Sequence, residues 1–304
     1  MRVFVTGASG HIGSAVVPEL RSAGHEVIAL ARSDASARKL AAAGAEVRRG
    51  DLDDLDVISK AAADSDGVIH LAYRSDLMHS GDAAGVVAAN LKAIEAVGET
   101  LEGTGKPFVA PVGTLVLWAG GITGRLGTED DVVEGGLLAD SENATVALAN
   151  RGVRSVVIRQ APVVHSVLDA RGFTPALIGI AREKGVAGYV GDGANRWPAA
   201  HTVDAARLFR LALESAPAGS RLHGVAEEGV PFREFAEAIG RNLGVPTASI
   251  APEDAAEHFG FLGMFAAADN PTSSALTRQR LGWEPTHPGL IADLDEGHYF
   301  ATRG

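Results

Sequence analysis

Short apolar runs alternate with amphipathic segments through the first half of the chain. The runs are rich in Val, Ile and Leu and are apolar on both faces. Strands of this kind are typical of a parallel sheet that is covered by helices on both sides. The six predicted strands are Val3–Thr6, Glu26–Ala31, Ala45–Arg49, Gly67–Ala72, Pro107–Val112 and Ser155–Arg159.

The segments between these runs carry apolar residues at helical spacing. Gly24 and Gly44 follow two of them, at the position where glycine commonly ends a helix. Because strand–helix–strand connections are right-handed, this order predicts an α/β fold with a doubly wound parallel Rossmann sheet. The four predicted helices are Ser14–Ala23, Ala35–Ala43, Leu55–Ala63 and Ala83–Leu101.

The pattern changes after about residue 164. Three further amphipathic segments predict helices, and one apolar run between them predicts a late strand. Since no internal repeat or flexible linker separates this half from the first, we expect the two halves to interlock. The predicted helices are Phe173–Glu183, His201–Glu214 and Pro231–Leu243, and the predicted strand is Arg221–Ala226.

Composition narrows the class of protein. Of 304 residues, 46% are hydrophobic and 21% are charged, which is ordinary for a soluble globular protein. The 27 basic and 38 acidic residues give a net charge of −11 without a basic cluster, which argues against nucleic acid or an anionic membrane as partner. The absence of cysteine excludes disulfides and thiolate chemistry. With no apolar run of membrane-spanning length and no signal peptide, we expect a cytoplasmic location.

The first strand runs directly into the sequence TGASGHIG at residues 6–13. A strand that enters a glycine turn and leaves as a helix forms the phosphate-binding start of a dinucleotide fold. Gly7 permits the tight turn, Gly10 lets the backbone approach a pyrophosphate, and Gly13 lets the helix pack closely on the strand. The predicted cofactor contacts in this loop are Thr6, Gly7, Ser9, Gly10, His11, Ile12 and Gly13.

The glycine spacing, Gly-x-x-Gly-x-x-Gly, resembles that of the extended and atypical short-chain dehydrogenase/reductase superfamily, which includes nucleotide-sugar epimerase and NmrA-like branches. The resemblance implies a dinucleotide-binding Rossmann domain over 1–165 and a small C-terminal substrate lobe over 166–304, with 198–226 returning to the Rossmann core. Extended members often dimerise through the helices after strands four and five. A homodimer through Ala83–Leu101 and a helix around Ala139–Ala149 is therefore a further implication.

The residues after the second strand decide which nucleotide binds. Folds that prefer NAD place Asp or Glu there to bind the ribose hydroxyls. This chain has Ala31, Arg32 and Ser33, and a guanidinium followed by a hydroxyl is suited to a 2′-phosphate. We therefore expect NADP(H) in preference to NAD(H). The alternative is that Arg32 is a solvated surface residue and that Asp34 binds the ribose.

Other strand ends match family segments that surround the cofactor. Asp51 and Leu52 resemble the pair beside the adenine, although a helix cap before Leu55 explains Asp51 almost equally well. The remaining predicted contacts are Leu71, Ala72 and Tyr73 after strand four, and Pro162 and Val163, which resemble the segment at the nicotinamide carboxamide.

The catalytic pair of the resembled family is missing. Its members use a tyrosine with a lysine four residues on, which lowers the pKa of the phenol so that it exchanges a proton with substrate. None of the three tyrosines in this chain has a lysine at that spacing. Matching the helix before the sixth strand places Leu138 at the tyrosine and Glu142 at the lysine, and neither performs that proton transfer. Thr114 retains a hydroxyl at the position of the family's upstream Ser or Thr.

Substitute groups are expected at the carboxyl edge of the sheet, where doubly wound folds bind ligands. Tyr73 follows strand four and His165 follows strand six, so that both are candidate catalytic residues together with Thr114. A lone histidine is more often structural, and His201 resembles a family histidine whose part is mainly structural support. The histidines show no metal-ligand spacing, so we predict no metal site.

These residues favour an NADP(H)-dependent oxidoreductase that acts on a small carbonyl or alcohol substrate by a non-standard proton relay. The reaction class follows from resemblance, since a fold does not fix a function. One alternative is a non-catalytic NADP(H)-binding regulator or redox sensor of NmrA-like type. A lesser alternative is a nucleotide-sugar epimerase or dehydratase, which the missing tyrosine disfavours.

Overall fold

A seven-stranded parallel sheet dominates the computed structural model, which describes residues 1–74, 77 and 81–301. The strands within these residues are β1 (Arg2–Thr6), β2 (Glu26–Ala31), β3 (Glu46–Arg49), β4 (Gly67–His70), β5 (Pro107–Gly113), β6 (Arg154–Gln160), β7 (Val163–His165), β8 (Ala187–Val190), β9 (Arg196–His201), β10 (Ser220–Gly224), β11 (Glu227–Pro231) and β12 (Thr247–Ile250).

Helices cover both faces of this sheet and build most of the second half. Within the same residues they are α1 (Gly13–Ser22), α2 (Asp34–Ala42), α3 (Leu55–Ala63), α4 (Ala83–Leu101), α5 (Leu115–Ala119), α6 (Asp140–Ala147), α7 (Phe173–Lys184), α8 (Thr202–Ser215), α9 (Phe232–Leu243), α10 (Ala255–Phe259), α11 (Gly263–Ala266), α12 (Ala275–Leu281) and α13 (Leu290–Asp295). None of them is long and apolar enough to cross a membrane.

The order of the main sheet is β10-β6-β5-β4-β1-β2-β3, with every neighbouring pair parallel. The chain leaves β1 toward β2 on one side and later returns to β4 on the other. Ligands bind at such a switch point, outside the carboxyl ends of the strands. The predicted α/β, doubly wound Rossmann class is confirmed, and the six predicted strands differ from the observed ones by only one or two residues at each end.

The alternation of side chains along β1 explains how one strand serves two cores. Val3 and Val5 pack on the face that α1 and α8 cover, beside residues such as Phe209. Phe4 points to the opposite face and packs with Ile58 and Phe108 beneath α3 and α4. Successive side chains of a strand point to opposite faces, so an uninterrupted apolar run requires this burial on both sides.

The second half of the chain is divided between the main sheet and a smaller lobe. The late strand is β10, which joins the main sheet beside β6, and α8 packs against α1. A three-stranded sheet, β11-β9-β7, and a pair, β12-β8, belong to the lobe. Its core includes Trp197, Phe232, Phe235 and Phe259, all without appreciable exposed surface. The sequence analysis missed these five lobe strands.

The helix Ala83–Leu101, which is predicted to form dimer contacts, is α4. Its apolar side packs against other elements of the same protomer. Val86, Ile94 and Val97 are buried there. Ile94 and Val97 belong to the core beneath α3 and α4, and α4 also packs against α6. These three side chains therefore pack within the protomer, and the homodimer stays a prediction.

A buried ion network fixes α6 to the sheet. Glu142 has no exposed surface, and its carboxylate accepts hydrogen bonds from Arg159 at 2.8 and 2.5 Å and from Arg221 at 2.6 Å. Burial raises the pKa of Glu142, but the hydrogen bonds and charges of the two arginines outweigh it, so that the pKa lies below its usual value. Glu142, at the predicted lysine position, is thus a structural anion.

Replacing Glu142 tests this assignment. Glu142→Gln leaves the fully buried Arg159 without its counter-charge, and we expect a loss of about 3–5 kcal/mol in the free energy of unfolding. Leu138→Ala is the matched control: Leu138 is 42% exposed, so its loss should cost less than about 1 kcal/mol. Urea denaturation at pH 7 measures both variants, and equal losses would contradict the network.

The pH dependence of this effect has a defined sign. Because the pKa of Glu142 is lower in the folded chain than its usual 4.5, the stabilisation is fully present above that pH. It is lost as the pH falls through the lower value of the folded state. The difference between wild type and Glu142→Gln should therefore shrink in acid.

Candidate active site

The glycine loop between β1 and α1 forms a cradle that is open at one position. Gly7 has φ +65°, and a Cβ there would lie 2.4 Å from the carbonyl carbon of Leu71. A Cβ on Gly13 would lie 2.3 Å from the oxygen of Gly7. A Cβ on Gly10, which is exposed, would meet only the Gly7 oxygen, at 3.1 Å. Gly7 and Gly13 are therefore required by the fold, whereas Gly10 leaves room for a ligand.

The N-terminus of α1 has donors to offer at this cradle. No side chain caps the helix, and its first turn contains no acidic residue. The first N–H groups of a helix have no partner within the helix, and its dipole favours an anion there. A phosphate group fits both features. Ser9, His11 and Ile12, the other predicted contacts of the loop, are half-buried beside it.

Thr6 shapes this cradle from behind. Its hydroxyl accepts hydrogen bonds from the N–H groups of Leu71 at 3.2 Å and Ala72 at 3.1 Å, and it lies 2.8 Å from His70 Nδ1. Since both lone pairs are used, the hydroxyl donates to His70. Thr6 has no exposed surface and its hydroxyl is engaged within the protein, and the predicted contact of Thr6 with the cofactor stays a prediction. Leu71 and Ala72 remain half-buried at the site.

His11 links the glycine loop to the second lobe. Its Nε2 lies 2.8 Å from the hydroxyl of Thr202 at the start of α8, and its Nδ1 lies 3.6 Å from Asp169. Burial lowers the pKa of His11 to about 4 and raises the pKa of Asp169 to about 6. His11 is therefore neutral at pH 7. Sequence reasoning missed Asp169 and Thr202, because neither belongs to a local motif.

The end of β2 presents a free cation. Arg32 is exposed and makes no hydrogen bond or ion pair with any residue that the structure describes. Ser33 caps α2, accepting the N–H of Ser36 at 3.1 Å. Asp34, the alternative ribose ligand, pairs instead with Arg49 at 2.9 Å. Arg32 is therefore available to a ligand, whereas Ser33 and Asp34 are engaged within the protein.

The adenine-side pair is partly engaged in local contacts. The Asp51 carboxylate accepts the N–H of Leu52 at 2.5 Å, and Leu52 is buried. The residue at the N-cap of α3 is Asp54, so Asp51 is not that cap. On the nicotinamide side, Pro162 is half-buried between β6 and β7, and Val163 is buried in β7.

Two of the three candidate catalytic residues are buried and have no access to solvent. Thr114 has no exposed surface, and its hydroxyl accepts a hydrogen bond from Asn270 at 2.8 Å. His165 also has none; its Nδ1 lies 2.9 Å from Asp293, and its Nε2 has no partner among the described residues. Neither can touch a substrate in this structure, which corrects both predictions.

Tyr73 is the candidate that a substrate can reach. It follows β4, next to the end of β5, and its side chain is 57% exposed. The buried part of the ring raises the pKa of the phenol above its usual value, so the phenol is protonated at neutral pH. It can therefore donate a proton.

The histidines near the lobe contact one another and neighbouring backbone groups. His201 accepts the N–H of Val203 at 3.3 Å and stacks on His287 at 4.6 Å between ring centroids, and burial lowers its pKa to about 4. Asp204 lies close enough to share an ion with these two, but it accepts the N–H groups of Thr286 and His287. We assign this group a structural role, as predicted from resemblance for His201.

The chain was compared with known protein families and proteins. The model of the NAD dependent epimerase/dehydratase family matches residues 3–110. An uncharacterized protein of Schizosaccharomyces pombe is 48% identical over 302 residues, covering 99% of this chain and 100% of the relative. An uncharacterized protein of Saccharomyces cerevisiae is 43% identical and covers 97% of this chain and 98% of its own.

Solved structures share the fold over nearly the whole chain. A dTDP-glucose 4,6-dehydratase from Streptomyces venezuelae with bound NAD has a TM-score of 0.76 at 22% identity, covering 97% of this chain and 96% of its own. A UDP-glucose 4-epimerase from Thermotoga maritima has a TM-score of 0.77 at 18% identity, covering 99% and 98%. At these identities the likeness shows the fold alone.

The open position of the cradle yields a direct test. Gly10→Val should fold normally, because the added side chain meets little of the protein, but it should occupy the space that a pyrophosphate needs. We expect the affinity for NADPH to fall at least about ten-fold, about 1.4 kcal/mol, with a thermal midpoint close to wild type. Gly13→Ala is the contrasting control and should lose stability. Calorimetry that finds unchanged NADPH affinity in Gly10→Val would refute the assignment.

Proposed function

The chain belongs to the NAD dependent epimerase/dehydratase family, and on this premise we propose that it is an NADP(H)-dependent oxidoreductase for a small carbonyl or alcohol substrate. The observation that carries the proposal is the open glycine cradle, with a free Arg32 beyond β2 and an exposed Tyr73 after β4. These three features lie at the ends of neighbouring parallel strands, where such folds bind ligands.

The residues present fit a dinucleotide with a 2′-phosphate. The backbone N–H groups of His11, Ile12 and Gly13, which have no acceptor among the described residues, would hold the pyrophosphate in the space that Gly10 leaves open, and Arg32 would hold the phosphate on the ribose. Lys39 lies on α2 with its Nζ 3.4 Å from the Ser9 carbonyl, which adds a second positive charge beside the loop. When bound, a nicotinamide dinucleotide supplies or accepts the hydride.

Tyr73 provides the proton in this proposal. Its protonated phenol donates to the substrate oxygen as the carbonyl carbon is reduced, and the phenolate then recovers a proton from water. Tyr73 has no lysine four residues later to lower its pKa. Its phenol is therefore a weaker acid than the tyrosine of the family's Tyr–Lys pair. At neutral pH the phenol is in the protonated form that reduction requires.

Two alternatives each have an observation in their favour. A nucleotide-sugar epimerase or dehydratase is favoured by the shared fold of solved enzymes with those names. A non-catalytic regulator is favoured by the missing Tyr–Lys pair and by the buried Thr114. Stoichiometric binding of NADPH without turnover of any carbonyl would support the regulator.

Arg32 tests the preference for NADP(H). We expect wild type to bind NADPH more tightly than NADH, and Arg32→Ala to remove that difference, about 1.5–3 kcal/mol for hydrogen bonds to a charged group. Arg48→Ala is the matched control. Arg48 lies on β3, next to β2, and pairs with Glu46 of the same strand and with Asp64 at the end of α3. Equal calorimetric affinities for the two nucleotides in wild type would end the NADP(H) proposal.

Tyr73 tests the proton donor. Tyr73→Phe removes the phenolic proton but keeps the ring, and we expect kcat to fall about 10²–10⁴-fold with NADPH affinity unchanged. His165→Ala is the comparison: it should lower stability, because the buried Asp293 loses its partner, while the pH profile of turnover stays the same. Full turnover in Tyr73→Phe would show that water or the substrate itself supplies the proton.

A further inference from the structure

Three half-buried aromatic rings form a continuous row between the main sheet and the second lobe. Trp118 of α5 meets Phe265 of α11 edge-on, with ring centroids 6.4 Å apart. Phe265 in turn stacks on Phe173, the first residue of α7, at 6.4 Å and an interplanar angle of 22°. Each ring keeps part of its surface in solvent. The row therefore offers an aromatic wall that reaches from one half of the protein to the other.

The wall begins at the site of the proposed reaction. Trp118 lies four residues after Thr114, one helical turn from the carboxyl end of β5, and β5 neighbours β4, which ends at His70, three residues before Tyr73. On the lobe side, Asn270 follows Phe265 by five residues and bonds to Thr114. This bond joins the segments that carry Trp118 and Phe265 at the carboxyl edge of the sheet.

Apolar side chains close in sequence to two rings of the row are also exposed. Met264, next to Phe265, is 72% exposed, and Val167, in the loop that leads to Phe173, is 69% exposed. Exposed apolar side chains are typical of binding surfaces where they lie together.

The charges of the lobe do not suit a nucleotide diphosphate. A diphosphate is bound by free guanidinium or ammonium groups. Among the described residues from 172 to 301, every arginine already has a carboxylate, hydroxyl or carbonyl partner. Arg171 and Lys184 are exposed and have no such partner in the described chain. They lie at opposite ends of the twelve-residue helix α7, about 18 Å apart, so they do not bind one diphosphate together.

An enclosed cavity elsewhere in the lobe is not a competing site. It is lined by apolar residues such as Leu177, Phe235 and Phe259 and measures about 10 Å³. That volume holds at most one water molecule. A larger open cavity, of about 310 Å³, lies next to Phe173 at the lobe end of the row and is lined by Ala170, Arg171, Gly172, Pro175 and Ala176.

We infer that the substrate of this site is a hydrophobic carbonyl compound without phosphate, whose alkyl or aryl part lies along Trp118, Phe265 and Phe173. The inference rests on the proposed function, which supplies the cofactor and the Tyr73 donor. It goes further, because it states that the protein recognises the substrate through apolar contact with the wall. The affinity should therefore grow with the apolar area of the ligand.

A binding series tests this without turnover. Butan-1-ol, hexan-1-ol and octan-1-ol are titrated into the protein loaded with NADPH, with which an alcohol cannot react, and tryptophan emission is followed. Trp197 packs on Phe173 with ring centroids 5.5 Å apart, so a change that disappears in Trp118→Leu identifies Trp118 as the reporter. We expect affinity to rise roughly four-fold per methylene, on the order of 10²-fold from butanol to octanol. UDP-glucose should neither quench the signal nor displace octanol.

Variants identify the wall as the cause. Phe265→Ala should weaken octanol binding about ten-fold and leave butanol nearly unchanged. Tyr189→Ala is the matched control: this lobe tyrosine lies on β8 against Arg233 and should keep the full series. Should Phe265→Ala fail to fold, Trp118→Leu read by calorimetry tests the other end of the row.

The outcomes separate this inference from the proposed function. An affinity that is flat along the alcohols, or UDP-glucose that binds more tightly than octanol and loses affinity in Arg171→Ala, would overturn the hydrophobic substrate. If the alcohol series holds but NADPH reduces neither butanal nor octanal, the proposed reaction fails and the apolar binding surface stands.

Discussion

The candidate site depends on the close approach of the ends of β1 and β4, which the Thr6 hydroxyl maintains. This hydroxyl accepts two backbone N–H groups after β4 and donates to His70, whose Nε2 lies 2.8 Å from Asn90. Asn90 donates to Ser141 at 2.9 Å, which carries the chain of hydrogen bonds from β1 to α6. Gly7 is needed because nothing larger fits against Leu71 at this approach. Without this close approach of β1 and β4, the glycine loop would not open toward the carboxyl edge of the sheet.

A second constraint joins the two halves through buried polar contacts. His11 reaches Thr202, Thr114 reaches Asn270, and Arg159 reaches the His223 ring at 3.2 Å. Burial lowers the pKa of His11 to about 4 and that of His223 to about 3, so both are neutral in the folded chain. Their contribution to stability is lost as the pH falls below about 6.5. Asp169 acts in the opposite sense: its pKa is raised from 3.8 to about 6, so its contribution is fully present below about pH 4 and is lost as the pH rises to about 6.

Local patterns predicted the cofactor half well and the lobe poorly, for physical reasons. Runs such as Glu26–Ala31 are apolar on both faces, so burial in a parallel sheet was readable from the sequence. The strand Arg196–His201 reads RWPAAH, with charge and proline that conceal it. The glycine loop lies within eight consecutive residues, whereas Thr202 lies 191 positions from His11 and Asn270 lies 156 from Thr114. No local sequence pattern signals a contact between residues so far apart in the chain. Contacts of this kind bury Thr114 and His165.

The proposed hydride transfer between a nicotinamide dinucleotide and a carbonyl carbon can be followed by an isotope. The most direct test incubates the protein with NADPH carrying deuterium at both nicotinamide C4 positions and with octanal, and analyses the product by mass spectrometry. We expect octan-1-ol with one deuterium at carbon 1 for each NADPH consumed. Intact NADPH and no labelled alcohol, in a sample where calorimetry shows NADPH bound, would contradict it.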